Sequence, residues 1–406
     1  MPAARKGSDS CRHRCAEVGG VTNRIHLSAP DVGRREEEMC VAALRSGWVA
    51  PLGPMVDQFE AALADRCGRR HAVALASGTA ALHLGLIEFG AVAGRYVVVP
   101  TMTFAATANA VVYTGATPVF VDCDPVTGNM APDLLHEALH QLRREGSDVA
   151  AVIAVDLLGN CADYDAIEDI CVRAGVPVLS DAAEALGSAR GGRPAGSFGQ
   201  AAVLSFNGNK VISTSGGGAL LTDDVRLADR VRYLASQARQ PVSHYEHTEI
   251  GYNYRLSNIL AALGLAQLER LTPMIARRRQ LRRQYREVFA QADGVQIFQG
   301  ECDTEDNCWL TAVLVDSVEA RWKPDELAAV LAAVNVETRP LWKPMHQQPV
   351  FAGARAFVRG DADRLFASGL ALPSGSALTD DEISTVHSVI GEFLGAPLRE
   401  GGACGV

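Results

Sequence analysis

Four short stretches carry the side chains most able to do chemistry together. "SFNGNK" ends on Lys210 and runs into "TSGGG", "VPVLSD" ends on Asp181, "SGTAAL" begins at Ser77, and "PTMTFAAT" contains Phe104. A lysine between an apolar strand and a glycine run is a phosphate-gripping cation, a salt-bridge partner, or an amine kept partly dry to act as a nucleophile. Gly78 and Thr79 lie where a strand gives way to a helix. Their amides and the Thr79 hydroxyl sit at a positive helix end that holds a phosphate, although Ser77 serves equally as a plain helix cap. Asp181 ends an apolar strand, where a carboxylate is costly unless a cation or several donors meet it; its alternative role is to cap the turn that starts at Ala182. No G-x-G-x-x-G follows the first strand, and Val211 follows Lys210 where a P-loop needs Ser or Thr, so the phosphate belongs to neither a dinucleotide nor a P-loop nucleotide.

Pyridoxal 5'-phosphate asks for this combination: a lysine for a Schiff base, an acid that keeps the ring nitrogen protonated, an anion site, and a flat side chain against the ring. Lys210, Asp181, Gly78 with Thr79, and Phe104 supply them in turn. Lys210, once displaced by an incoming amine, is also free to carry a proton.

The elements that must position these residues are short apolar runs alternating with helical ones. Strands are expected at 71–77, 95–100, 117–122, 149–155, 176–181, 201–206 and 218–223, with helices at 78–90, 132–146 and 163–175 between them. Such alternation predicts an α/β fold with a mostly parallel, seven-stranded sheet sandwiched by helices, and ligands outside the carboxyl ends of its strands. After 254–271 the pattern changes to an arginine-rich helix over 274–292, read as a solvated face, and then to a smaller C-terminal α+β unit. The expected division is an N-terminal extension over 1–24, a large domain over 25–270 and a small one over 271–406.

Composition narrows the partners. With 406 residues, 48% hydrophobic and 21% charged, the chain is an ordinary globular one, and its net charge of -9 argues against unspecific nucleic-acid binding. No apolar run reaches the roughly 18 residues of a membrane span, and none near the start suits a secretory signal. Ten cysteines lack Cys-x-x-Cys spacing; they read as small buried hydrophobes in a reducing cytoplasm, not as a metal site.

The sequence resembles the DegT/DnrJ/EryC1/StrS family of sugar aminotransferases from about Ile25 to Leu394. The resemblance rests on "LSAPDVG", "SGWVAPLGPMVDQFE", "SGTAALHL", "VPTMTFAATANAV", "SDAAEALGS", "SFNGNK", "TSGGGALLTDD", "GYNYRLSNILAALGLAQLERL" and "RPLWKPMH" in that order. It implies the type I aminotransferase fold and pyridoxal phosphate held by Gly78, Thr79, Phe104, Asp181, Ser205 and Lys210. It also implies a homodimer in which Asn253 reaches the neighbouring subunit's phosphate site. Glu184 stands where many members have His or Gln, as in a subgroup acting on acetamido sugars, and Leu158 replaces the aromatic of the usual "LYG". The implied reaction moves an amino group, from glutamate, onto a nucleotide-linked 4-keto-6-deoxysugar, UDP-linked and N-acetylated by the resemblance. An aminocyclitol acceptor is the alternative. A sugar dehydratase is disfavoured because those members carry His at the lysine position, and a non-catalytic regulator has no need of a complete cofactor set. Trp48, Arg339 and His346 are the substrate-side candidates.

Overall fold

The computed structural model describes residues 24–299 and 304–395. Eight strands form its main sheet: β1 (His71–Leu75), β2 (Tyr96–Pro100), β3 (Thr117–Val121), β4 (Val149–Val155), β5 (Val178–Asp181), β6 (Ala201–Ser205), β7 (Gly218–Thr222) and, far along the chain, the short pair Ala356–Phe357. Their spatial order is β1, β7, β6, β5, β4, β2, β3 and Ala356–Phe357; β7 runs antiparallel to both its neighbours and every other pairing is parallel. The sheet therefore has one strand more than the seven expected. Two residues are too short for a periodic signal, and Ala356–Phe357 joins only because it lies along Phe120 and Val121 of β3.

Alternate residues of each strand enter different cores. Val73, Leu75, Val97, Val99 and Phe120 face α3 (Gly78–Glu88), α4 (Ala105–Tyr113) and α7 (Val225–Ala235); Ala72, Ala74, Val98, Val119 and Val121 face α2 (Pro54–Arg66), α5 (Pro132–Arg144), α6 (Tyr164–Ala174) and α8 (Asn258–Val288). With helices on both sides, the strands are apolar along most of their length. The helix α3 is buried on nearly every side, and at Gly85 a Cβ would meet Leu220 Cδ1 at 3.1 Å and Leu179 Cδ1 at 3.3 Å, so glycine lets the helix lie close on the sheet. That close seating fixes where the amino end of α3 falls.

The boundary expected at 270/271 falls inside α8, which runs unbroken through Pro273. An interior proline costs about 3 kcal/mol, but both halves of the helix are anchored. The first packs on α1 (Arg34–Ser46) and α2, and the second sends Leu281 and Tyr285 into the core of a four-stranded antiparallel sheet made by 295–297, 311–315, 369–372 and 339–340. By length and composition α8 passes for a membrane span, which corrects the expectation of no such run; here it is a core helix between two units. The arginine run is corrected as well. Arg278 and Arg282 are 1% and 0% exposed, on one face of the helix. Arg278 donates to the carbonyls of Trp309 (2.7 Å) and Ser374 (3.0 Å), and Arg282 pairs with Asp306 at 2.6 Å. The expected extension over 1–24 lies outside the described residues except for Arg24. Of the six free cysteines among the described residues, all but Cys40 are buried.

Candidate active site

Lys210 lies five positions beyond the end of β6, in a cavity of about 250 Å³ at the carboxyl ends of the parallel strands. The walls include Gly78 and Thr79 from the start of α3, Phe104 and Thr107 from the start of α4, Asp181 and Glu184 from the end of β5, and Ser205 from the end of β6. Register accounts for their convergence. Asp181 pairs with Val155 on one side and Val203 on the other, and Ser205 pairs with Gly218, so the strands finish at one level.

The glycines are explained mainly by packing. A Cβ at Gly218 would run into the backbone of Ser77 and Gly78, and one at Gly217 into Thr214, whereas Gly216 has open space around it. The run therefore lets β7 begin directly against the amino end of α3, and only Gly216 leaves room toward the cavity. Ser77 does cap α3, accepting from the Ala80 amide at 3.0 Å. The amides of Gly78 and Thr79 are among the first of the helix and have no partner within it. The cap and the anion site thus coexist.

Asp181 is 5% exposed. Burial raises its pKa, while the Thr107 hydroxyl donating at 2.8 Å, the charge of Lys210 and the Ala183 amide at 3.3 Å favour its ionised form. Thr103 in turn lies 2.8 Å from the Thr107 hydroxyl. Glu184, also buried, takes the Lys210 ammonium at 3.3 Å on Oε1 and the Leu158 amide at 2.8 Å on Oε2. Leu158, where an aromatic side chain is usual, has φ 54, in the left-handed region. Its backbone, rather than its side chain, thereby serves the site. Burial raises the pKa of Glu184, with Lys210 opposing.

Two tryptophans complete the walls. The Lys210 ammonium stands 4.0 Å from the centroid of the Trp309 ring, and Trp309 donates to the carbonyl of Asn209 at 2.7 Å. Trp342 lies 6.3 Å from Trp309 and 6.1 Å from Phe104, centroid to centroid, which makes an aromatic row leading to the lysine. Thr107, Trp309 and Trp342 were not singled out from the sequence. Thr107 and Trp342 sit in quoted motifs, but both tryptophans come from loop positions that only tertiary packing brings to residue 210.

Other candidates lie elsewhere. Trp48 is 47% exposed and outside the cavity. Asn253 is exposed, bridges to Ser236 and does not line the cavity of its own chain. His346 contacts Thr101 Oγ1 at 2.7 Å and Asp363 at 3.2 Å, away from the cavity, and Arg339 borders a neighbouring one.

The residues present fit pyridoxal phosphate. Two buried carboxylates face one lysine, so a protonated ring nitrogen would balance the second negative charge, and the amino end of α3 with Ser205 is ready for a phosphate.

Known proteins agree. The model of the DegT/DnrJ/EryC1/StrS aminotransferase family matches residues 30–391. EpsN of Bacillus subtilis (strain 168), assigned as a pyridoxal phosphate-dependent aminotransferase, is 44% identical over 90% of this chain and 95% of its own. A GDP-perosamine synthase of Caulobacter vibrioides is 35% identical over 91% of this chain and 98% of its own. Among solved structures, DesI in the presence of its TDP-sugar product superposes with a TM-score of 0.82 at 34% identity, covering 91% of this chain and 93% of that one. The chain belongs to the DegT/DnrJ/EryC1/StrS family and is a pyridoxal-phosphate-dependent sugar aminotransferase.

Proposed function

We propose that the enzyme moves an amino group from L-glutamate to the keto carbon of a nucleotide-linked 4-keto-6-deoxysugar, with a UDP-linked 4-keto-6-deoxy-N-acetylhexosamine as acceptor. The observation that carries the reading is the Lys210 ammonium held 3.3 Å from Glu184 beside a second buried carboxylate, Asp181. Pyridoxal phosphate, when bound, supplies the electron sink that makes a substrate proton labile. The residues proposed to hold it are Gly78, Thr79 and Ser205 at the phosphate, Phe104 at the ring, Asp181 at the ring nitrogen and Lys210 by covalent attachment.

The chain's own work is then divided. Lys210 Nζ would take the proton from the α-carbon of the amino donor and, in the second half of the reaction, deliver one to the former keto carbon of the sugar, and Glu184 Oε1 keeps that nitrogen within reach. Burial raises the pKa of Glu184 and the charge of Lys210 opposes it, so the carboxylate and the ammonium hold each other in place. Trp309 and Phe104 narrow the approach and exclude water.

Glu184 supports the acetamido-sugar reading, being the residue found in the subgroup that acts on such sugars. A GDP-linked acceptor is the second reading, favoured by the relatives named GDP-perosamine synthase. We further propose a homodimer with shared sites, since Asn253 is exposed and outside its own chain's cavity. The enzyme incubated with glutamate and a panel of UDP-, dTDP- and GDP-linked ketosugars, with products read by mass spectrometry, separates these acceptors. Amination of an aminocyclitol precursor and of none of the nucleotide sugars would overturn the reading.

A further inference from the structure

A second cavity, of about 530 Å³, opens beside the first and shares Phe104, Asn209, Trp309 and Trp342 with it. Its far edge is charged. Ile25 pairs with Val336, so residues 24–26 run beside 336–339 and their side chains meet around Glu337. Glu337 takes Arg339 at 2.7 Å, His26 at 3.4 Å, Arg24 at 3.6 Å and the Leu27 amide at 3.3 Å. Burial alone would raise the pKa of Glu337, but the Leu27 amide and the Arg339 and Arg24 charges hold it below the usual value, so it remains an anion. Two guanidinium groups and an imidazole thus share one carboxylate, leaving positive charge in surplus. The three side chains around it are about half exposed, at 50%, 55% and 58% for Arg24, His26 and Arg339, whereas Glu337 is 16% exposed. Their donors still face solvent while the carboxylate holds them in place. The wall common to both cavities also has a spare donor, because the Trp342 indole N–H is buried without an acceptor among the described residues.

We propose that Arg339, Arg24 and His26 form the subsite for the diphosphate of the nucleotide-linked acceptor. The inference rests on the acceptor being nucleotide-linked, and it assigns the place of the anionic arm. Reach decides between the anions available. The α-carboxylate of an amino donor is one bond from the reacting carbon and has to lie with Lys210 in the first cavity, which neither Arg339 nor His26 lines. A diphosphate is separated from a sugar's keto carbon by the sugar ring. That ring then lies along Trp309 and Trp342, aromatic faces suited to its C–H surface, and the phosphates meet guanidinium forks whose geometry matches theirs.

The test is calorimetric titration of the holoenzyme with UDP, dTDP and GDP, beside the half-saturation by glutamate in the donor half-reaction. With Arg339→Gln, the affinity for whichever nucleotide the wild type binds is expected to fall about tenfold, the charge-assisted contact being worth on the order of one factor of ten. Glutamate half-saturation is expected to change at least fivefold less. Arg339→Lys recovers part of the loss, and Arg24→Gln gives a smaller loss of the same kind. Unchanged nucleotide affinity in both Arg339→Gln and Arg24→Gln overturns this subsite while leaving the nucleotide-sugar reading intact. A weakened glutamate response with unchanged nucleotide binding assigns the cations to a donor carboxylate and overturns it as well. A wild type that binds none of the three nucleotides removes the nucleotide-sugar reading itself.

Discussion

Asp181 depends on a neighbour that a sequence motif does not reveal. The Thr107 hydroxyl at 2.8 Å favours the carboxylate over the acid, against the burial that raises its pKa. Thr107→Val keeps the volume and removes that donor. A hydrogen bond to a charged group is worth about 1.5–3 kcal/mol, so kcat is expected to fall about tenfold or more and the acid limb of the pH–rate profile to move to higher pH. An unshifted profile would remove Thr107 from the pairing. Asp181→Asn is expected to lower turnover by several orders of magnitude with the fold intact, checked by steady-state kinetics alongside circular dichroism. Asp156, at the end of β4, gives a pH-dependent test of stability. Burial chiefly, with Asp181 and Glu184 nearby, pushes its pKa up to about 7. Between the ordinary aspartate value of about 4 and 7, the folded chain keeps a proton that the unfolded chain has released, so this group lowers stability progressively as pH rises through that window. Asp156→Asn keeps an acceptor for the Ala162 amide at 2.9 Å and abolishes the ionisation. Melting curves are expected to show the variant gaining on the wild type at pH 8 and not at pH 4; an equal difference at both would contradict the assignment.

At the scale of elements, the joint between the two units rests on buried arginines of α8. The Arg282–Asp306 pair is inaccessible on both sides. Arg282→Met leaves a buried carboxylate without that cation and is expected to cost about 3–5 kcal/mol, visible as a lower denaturation midpoint. Arg282→Met with Asp306→Leu should recover most of the loss. This joint was illegible in the sequence, because a charged run has the same composition whether it faces water or the carbonyls of Trp309, Leu310 and Ser374. The change to an arginine-rich pattern after 254–271 suggested a break where the helix is continuous. The seven principal strands were legible for the opposite reason. A strand buried on both faces has few polar positions to blur it, and each expected run overlaps the observed one to within two residues at either end. Lys210, Asp181 and the start of α3 followed, since strand ends mark the site in such sheets. Trp309 and Trp342 did not, as an aromatic residue in the chain shows no sign of which cavity it will line.

For the whole molecule, the shared-site proposal predicts complementation. A protomer with Asn253→Asp, whose charge opposes a phosphate, mixed with a Lys210→Ala protomer should form heterodimers in which one site carries both lesions and the other neither. Recovery of activity after subunit exchange is expected; no recovery, with heterodimers shown to form and the Asn253 variant itself impaired, would mean that Asn253 serves its own chain. Whether Lys210 carries the cofactor is decided by reducing the holoenzyme with borohydride and mapping the modified peptide by mass spectrometry. The chain has only four lysines, Lys6, Lys210, Lys323 and Lys343, so the readout is unambiguous. The pyridoxyl group is expected on Lys210 alone and absent from Lys210→Ala; modification of another lysine in the wild type, or of the Lys210→Ala protein to the same extent, would take the cofactor away from Lys210.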